Sequence, residues 1–176
     1  LVLWLFVWRA FFYGDVVVLY LLYPFRRQRQ MGKRDSPRDL YMSHTTTWTA
    51  KSLTWTVEGV LSSSEIVEFL EEMADNVQFE KIDYLIWNTQ AVTDYVMDSD
   101  DAQLSSVYTG SLEMYNKKLI AALVVNNPAV HEFAELLLEA MEARNSAWTV
   151  SIHPDMDKAM QWFGLMAPGC LVEMGV

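Results

Sequence analysis

The chain has 176 residues, 52% hydrophobic and 20% charged, so it is long enough to fold around a core of its own. One cysteine, Cys170, excludes an intramolecular disulfide and a multi-cysteine metal site, and three scattered histidines give little support to a histidine site. The net charge of −10 argues against general nucleic-acid binding, which needs a basic surface.

The charge divides the chain into two parts. Residues 1–41 contain seven Lys or Arg and three Asp, whereas the rest of the chain contains six basic and twenty acidic residues. Residues 1–25 are almost wholly apolar, and residues 26–44 are mainly basic and polar, which predicts a linker. We therefore expect a folded domain at residues 45–164 and a C-terminal tail at 165–176.

Two interpretations of residues 1–25 remain open. A run of this length can span a bilayer as a helix, with the basic residues after it on the cytoplasmic side. Arg9 and Asp15 weaken that interpretation, because each costs about 2.5–3.5 kcal/mol near the centre of a membrane helix. The second interpretation is a non-native upstream sequence, since the first residue is leucine and Met42 directly precedes the first predicted strand. A signal peptide fits less well, because the basic residues follow the apolar run. On either interpretation, little packing of residues 1–41 against the domain is expected.

Residues 45–164 alternate between strand patterns and helix patterns. The strand patterns alternate apolar and polar residues or are continuously apolar, and the helix patterns place apolar residues three and four apart after a cap. The run KLIAALVV at 118–125 is apolar on both faces, as strands of buried parallel sheets are. The predicted strands are 46–50, 53–58, 82–87, 118–125 and 147–152, and the predicted helices begin near Ser62, Asp98, Asn127 and Pro154.

The order β-β-α-β-α-β-α-β-α predicts an α/β domain with a mixed, mainly parallel five-stranded sheet and four main helices. The first hairpin, with its turn at Lys51 and Ser52, supplies an antiparallel edge, and residues 119–125 are expected at the centre of the sheet. The second helix is expected to bury a stripe of apolar residues: Leu104, Val107, Tyr108, Leu112 and Tyr115.

This order and three stretches of sequence resemble the STAS domain, the fold of the anti-sigma-factor antagonists, and in particular its SpoIIAA-like branch. IDYLIWNTQAVTDY is similar to the third strand and its loop, KLIAALVVNNPAVHEFAELLLEAM to the fourth strand and third helix, and WTVSIHPDMDKAMQWF to the closing strand and helix. The chain departs from the family at Asn88 and Ala91, where Asp and Gly are usual. The resemblance implies a non-catalytic regulatory or binding module that acts through protein partners in a bacterial cytoplasm.

The candidate binding surface comprises the loop after the third strand and the start of the second helix. Sites in parallel α/β sheets gather at the carboxyl ends of the strands, and the resemblance implies that partners meet this region. Its aspartates favour encounter with a basic partner, and the run Tyr95, Val96 and Met97 supplies apolar contact area. Alternatively, Tyr95 and Val96 fold back over the end of the sheet. The candidate residues are Asp94, Tyr95, Asp98, Ser99 and Asp101.

The resemblance also makes Ser99 a phosphorylation candidate, because antagonists of this family carry a phosphorylated serine after an aspartate at the start of the second helix. Backbone amides at a helix N-terminus can stabilise a phosphate, whereas Asp98, Asp100 and Asp101 would repel it. The simpler expectation is that Ser99 or Asp98 caps the helix.

The alternative function is the binding of a lipid or another small apolar ligand. Met residues and six aromatic residues could line an adaptable pocket, namely Tyr84, Trp87, Tyr95, Tyr108, Tyr115 and Phe133. An enzyme is not expected, because the sequence shows no nucleophile–base pair and no nucleotide-binding, zinc-protease or serine-hydrolase motif. We expect no cofactor, no metal and no nucleic acid, an exposed His131–Glu135 pair, and a cytoplasmic protein that meets the inner face of the membrane only if residues 1–25 are an anchor.

Overall fold

The computed structural model describes residues 42–167, so the predictions for residues 1–25, for most of the linker and for most of the tail lie outside the described residues. The described chain has five strands and four α-helices in the predicted order, with a short 3-10 turn at Phe79–Lys81 before the third strand. The strands are β1 (Met42–Trp48), β2 (Ser52–Ser62), β3 (Tyr84–Val96), β4 (Ile120–Val124) and β5 (Thr149–His153). The helices are α1 (Ser63–Asp75), α2 (Ser99–Leu112), α3 (Pro128–Ala143) and α4 (Met156–Met166).

The five strands form one sheet in the order β1-β2-β3-β4-β5. β1 is antiparallel to β2, and every other neighbouring pair is parallel, which confirms the mixed, mainly parallel sheet. The prediction that residues 119–125 lie at the centre is wrong. β4 lies between β3 and β5, and β3 is the central strand because β1 and β2 both add on its other side.

The helices divide unequally between the two faces of the sheet. A strand order that follows chain order, joined by right-handed crossovers, places α1, α2 and α3 on one face, where they bury the larger core. α4 follows the last strand and covers the opposite face, where Phe163 packs edge-on against Tyr84 with ring centroids 5.7 Å apart. One face of the sheet is therefore covered by a layer of three helices, and the other face by α4 alone.

The helix starts predicted near Ser62, Asn127 and Pro154 are confirmed, and each of them has a cap. At α1, the Glu65 carboxylate accepts a hydrogen bond from the Ser62 amide at 3.0 Å. At α3, the Asn127 side chain accepts from the Ala129 amide at 3.0 Å, with Pro128 in the first turn. At α4, the cap is Asp155.

An aromatic cluster anchors the first helix to the sheet. Trp55 of β2 is fully buried and stacks on Phe69 of α1, with centroids 4.3 Å apart and an interplanar angle of 9°. Trp87 of β3 meets both rings edge-on, at 5.4 Å from Trp55 and 5.7 Å from Phe69. Edge-to-face and stacked pairs of this kind add to the free energy gained from burial alone.

β2 and β3 run well past the ends predicted for them. Residues 82–87 were expected to be followed by a loop, but the strand continues to Val96 and pairs with β2 as far as Ser62. Two register shifts interrupt this pairing, and at each of them β3 has one residue more than β2. Gly59 beside the second shift has a φ of 87°, a conformation that suits glycine. β4 pairs with β3 only as far as Asn88. The last residues of β2 and β3 therefore project beyond β4 as a two-stranded extension.

The buried face predicted for α2 is wrong. Only Leu112 of the predicted stripe is fully buried, Tyr108 is half-buried, and the other three side chains are exposed. The helix instead buries a mainly polar face, consisting of Ala102, Ser105, Ser106, Thr109 and Leu112. Small side chains allow α2 to pack closely between α1 and α3, and their hydroxyls need hydrogen-bond partners there.

His153 makes the α4 side of the fold sensitive to acid. Its ring lies 5.2 Å from that of Trp162, and its buried Nε2 has no hydrogen-bond partner among the described residues. Burial lowers the pKa of His153, although Asp155 opposes the shift. A depressed histidine pKa means that stability is lost as pH falls through the unfolded value, near 6.5.

We therefore expect urea unfolding of the wild type to show a larger loss of stability between pH 7.5 and 5.5 than unfolding of His153→Asn. His131→Gln is the matched control, because His131 is exposed and faces Glu135. An equal loss in wild type and His153→Asn would contradict the assignment.

Candidate functional site

Residues 94–101 lie at the carboxyl edge of the sheet, as predicted, but the first of them belong to a strand and not to a loop. Asp94 pairs with Val60, and Val96 pairs with Ser62, in the extension of β2 and β3. The Asp94 side chain is exposed, and its Oδ1 accepts a hydrogen bond from the Tyr95 amide at 2.8 Å. The ladder holds this acidic residue at a defined position on the surface.

The three apolar residues of the segment do not form one patch. Tyr95 is half-buried and packs against the main core, with its ring 5.9 Å from that of Phe133 in α3. Met97 also packs against the core, and only Val96 is largely exposed, at 59%. The alternative that Tyr95 folds back over the end of the sheet therefore describes this side chain, while Val96 remains available for contact.

The environment of the Tyr95 hydroxyl is acidic. Burial raises the pKa of Tyr95 to about 12, and the nearby carboxylates of Asp101, Glu132 and Asp98 act in the same direction. The phenol therefore stays neutral at physiological pH and serves as a packed support between β3 and α3.

Asp98 caps α2, which confirms the simpler expectation for the start of this helix. Its Oδ1 accepts from the amides of Asp100 and Asp101 at 2.9 and 3.2 Å, and the Asp101 Oδ2 accepts from the Asp98 amide at 3.0 Å. This reciprocal capping box ties both carboxylates to the backbone. Asp98 and Asp101 thus have a structural role whatever they bind.

Ser99 and Asp100 are the first two residues of α2, and both are exposed. The amides of Asp100 and Asp101 already donate hydrogen bonds to the Asp98 carboxylate, so they are not available to a phosphate on Ser99. Asp94, Val96, Asp98, Ser99 and Asp100 form the carboxyl-edge surface, the name used below for these exposed residues.

The helical layer beside this surface is strongly acidic. The sequences of α1, α2 and α3 contain five, two and four Asp or Glu respectively, and no lysine or arginine. Most of these carboxylates are exposed, including Glu68 and Glu71 on α1 and Glu135 and Glu139 on α3. The acidic surface predicted for residues 94–101 therefore extends over three helices.

α2 carries exposed apolar side chains in the middle of this acidic layer. Val107 is 62% exposed and Leu104 is 46% exposed, and Met114 and Tyr115 in the turn after the helix are 70% and 60% exposed. These four residues are called the α2 stripe. Three of the four were predicted to lie on the buried face of the helix, because the spacing of apolar residues alone does not show which face of a helix meets the core.

Arg144 satisfies the polar inner face of α2. Its guanidinium donates to the hydroxyls of Ser106 and Thr109, both at 3.1 Å, and to the Glu113 carboxylate at 2.5 Å. The Glu113 carboxylate also accepts from the Ser146 hydroxyl at 2.6 Å. Gly110 leaves room for the guanidinium over α2, because a Cβ there would lie 3.1 Å from Nη1 and the arginine would have to shift slightly.

The hydrogen-bonded cluster of Arg144, Glu113, Ser106, Thr109 and Ser146, called the Arg144 cluster below, links the end of α2 to the segment after α3. Burial alone would raise the pKa of Glu113, but hydrogen bonds from Arg144, Ser146 and the Ala147 amide hold it below its usual range. The carboxylate and the guanidinium therefore stay charged and paired near neutral pH. The cluster was not predicted, and its one signal in the sequence is a helix with serine and threonine at core spacing.

The six aromatic residues proposed to line a ligand pocket do not meet in one cavity. An apolar recess of about 280 Å³, including its open mouth, lies between the sheet and α1 and α3, and only Trp87 and Phe133 of the six line it. Tyr84 lies on the opposite face of the sheet, and Tyr115 is exposed. The space inside it is only about 10 Å³, about enough for one water molecule, so the recess is far smaller than a ligand pocket.

Three further predictions concern residues 42–167. His131 and Glu135 form an exposed pair, with Nδ1 and Oε1 3.6 Å apart, as expected. No group of three or more potential metal-ligating side chains comes together in these residues. None of the helices in the same range is both long and apolar enough to cross a membrane.

Comparison with known proteins finds likeness in structure and not in sequence. No family model matches the chain, and no curated protein matches it. Among solved structures, the chain is similar to the crystal structure of an anti-sigma factor antagonist from Mycobacterium paratuberculosis, with a TM-score of 0.47 and 11% identity over 70% of this chain and 95% of that one. The element order and the mixed five-stranded sheet with its four helices are those that the resemblance to STAS domains predicted, so residues 42–167 have a STAS-like fold.

Proposed function

We propose that this chain is a non-catalytic regulatory module of the STAS, SpoIIAA-like type, which binds a basic protein partner through the carboxyl-edge surface. The observation that carries the proposal is the fixed display of exposed aspartates around an exposed Val96, at the edge where α/β sheets bind their ligands. Long-range attraction to such a surface speeds encounter with a partner of opposite charge.

The candidate residues divide into two roles. Asp94, Asp98 and Ser99 present polar atoms to the partner, since their side chains are exposed. Tyr95 and Asp101 act as positioning residues, because one packs on Phe133 and the other completes the capping box. A rigid surface loses less conformational entropy when it binds.

Ser99 is the proposed phosphorylation site of this surface. Phosphorylation adds nearly two negative charges beside Asp98 and Asp100 at helix amides that are already occupied. A basic partner is attracted more strongly by that change, whereas a partner that inserts an apolar group is repelled. Phosphate would therefore select between partners. A cytoplasmic location, as in other proteins of this type, is part of the proposal.

Capture of partners from a host lysate tests the surface. Because Asp98 and Asp101 form the cap, the informative variant is Asp94→Lys/Asp100→Lys, which reverses two exposed charges and leaves the capping box in place. We expect it to lose the partner, with a larger loss at low salt than at moderate salt. The matched control is Glu80→Lys/Asp157→Lys, an equal change of charge at exposed positions outside α1, α2 and α3. Equal recovery by both variants would overturn the proposed surface.

A further inference from the structure

The two faces of α2 are reversed relative to an ordinary amphipathic helix. Three of the six buried polar residues of the described chain, Ser105, Ser106 and Thr109, lie on its inner face. Leucine and valine at positions 104 and 107 point outward instead. Burying hydroxyls costs free energy unless they are paired, and Arg144 donates to two of the three, those of Ser106 and Thr109. Core packing alone would favour an α2 with its apolar face inward. The outward position of that face therefore indicates that a partner covers it.

The surroundings of the α2 stripe indicate the charge of that partner. α2 contacts α1 on one side and α3 on the other, so the stripe runs between two acidic helices. Neither helix contains a lysine or an arginine. An apolar strip between two negative borders is complementary to an amphipathic helix that carries apolar residues on one face and basic residues on both sides of that face.

We propose that the α2 stripe binds a basic amphipathic helix of the protein partner, laid along α2 between the exposed carboxylates of α1 and α3. Leu104 and Val107 contact one end of the partner helix, and Met114 and Tyr115 contact its other end. Leu104 and Val107 lie about one turn apart on α2, and Met114 and Tyr115 follow its end at Leu112, so the four side chains extend along the length of the helix. The inference rests on the proposed function, because the carboxyl-edge surface and the α2 stripe would be used by one partner.

Two other occupants are less compatible with the charges. A second copy would bring the same acidic borders into contact with themselves, and like charges at an interface cost several kcal/mol. The cytoplasmic leaflet of a membrane is anionic and attracts basic segments, so it would repel this layer. Both occupants are outcomes that the following experiment detects.

The probe is a synthetic peptide helix with leucines three and four residues apart and lysines on both flanks. Its binding to the full chain is followed by fluorescence anisotropy, and the contacted residues are mapped by amide chemical shifts. We expect shifts centred on the α2 stripe and binding that weakens as salt rises. Leu104→Ser/Val107→Ser should weaken binding by about tenfold or more, because truncation of central apolar contacts has effects of this size. Both side chains are exposed, so the fold should survive the change.

Three controls keep the result specific. A peptide of the same composition in scrambled order should bind weakly, and a peptide with glutamates in place of the lysines should not bind. Leu165→Ser/Met166→Ser removes two exposed apolar side chains from α4, on the other side of the sheet, and should leave binding unchanged. Met114→Ser/Tyr115→Ser should weaken binding in the same direction as the first variant.

The inference is overturned by any of four results. These are no binding of the basic peptide, unchanged binding by Leu104→Ser/Val107→Ser, a concentration-dependent dimer that this variant abolishes, and capture of the chain on anionic vesicles through the stripe. The proposed function fails separately. If Asp94→Lys/Asp100→Lys keeps its partner, the proposed carboxyl-edge surface is wrong. If Asp94→Lys/Asp100→Lys loses the partner but Leu104→Ser/Val107→Ser does not, the proposed function stands and only the binding of a helix to the α2 stripe is rejected.

Discussion

Replacement of Trp55 by alanine is expected to lower the free energy of unfolding by about 3–5 kcal/mol, the range for removal of a large aromatic side chain from a core. Trp55 is fully buried, stacks on Phe69 at 4.3 Å and meets Trp87 edge-on at 5.4 Å, so its loss leaves a cavity lined by two rings that cannot both move into it. Urea unfolding followed by circular dichroism measures the change.

Trp55→Phe is the matched control for this prediction. The buried Nε1 of Trp55 has no hydrogen-bond partner within the described residues, so phenylalanine gives up no hydrogen bond and retains the stack. We expect a loss well below that of the alanine variant. A small effect of Trp55→Ala, under about 1 kcal/mol, would show that the three rings do not form a common cluster.

Removal of the Arg144 side chain is expected to cost about 2–3 kcal/mol. The usual loss from breaking a buried ion pair is about 3–5 kcal/mol, and we expect less here because a quarter of the Arg144 side chain is exposed, at 26%. Arg144→Ala removes the donor to the hydroxyls of Ser106 and Thr109 and one of the three donors to the Glu113 carboxylate. Arg144→Lys should fall between wild type and alanine, since a single ammonium group cannot reach all three acceptors.

The Arg144 cluster also predicts a pH dependence. The pKa of Glu113 is lowered in the folded state, so the stability that it contributes is present above the unfolded pKa of glutamate and is lost as pH falls through the folded value. Unfolding measured from pH 7 to pH 3 should show a steeper loss in wild type than in Glu113→Gln. A double-mutant cycle with Arg144→Ala isolates the coupling between the two side chains, and an additive cycle would contradict the cluster.

The helices with one apolar face were predictable from local pattern. Ile66, Phe69 and Met73 on α1 and Phe133 and Leu137 on α3 recur at helical spacing after identifiable caps, and all are buried. The apolar run at 118–125 likewise identifies a strand that is covered on both sides. In these segments the local preference and the tertiary contacts agree, and a single sequence is sufficient for prediction.

The candidate site was predictable in position and only partly in detail. The aspartates at 94–101 mark the right edge of the sheet, and the D-S-D-D run at 98–101 marks a helix start. Pairing of Val96 with Ser62 depends instead on a partner strand more than thirty residues earlier in the chain, and on two register shifts at which β3 has one residue more than β2. The inward turn of Tyr95 depends on Phe133, which is contributed by another helix.

The amino-acid sequence by itself determined the order of elements, the caps, the acidic charge of the helical layer and the buried faces of α1, α3 and α4. The tertiary structure alone decided which face of α2 meets the core. Its apolar residues satisfy a helical period equally well whether they point inward or outward, so period carries no information on that choice. In the folded chain Arg144 bonds the hydroxyls of Ser106 and Thr109 and the Glu113 carboxylate, and it comes within reach of them only when α2 and α3 pack together.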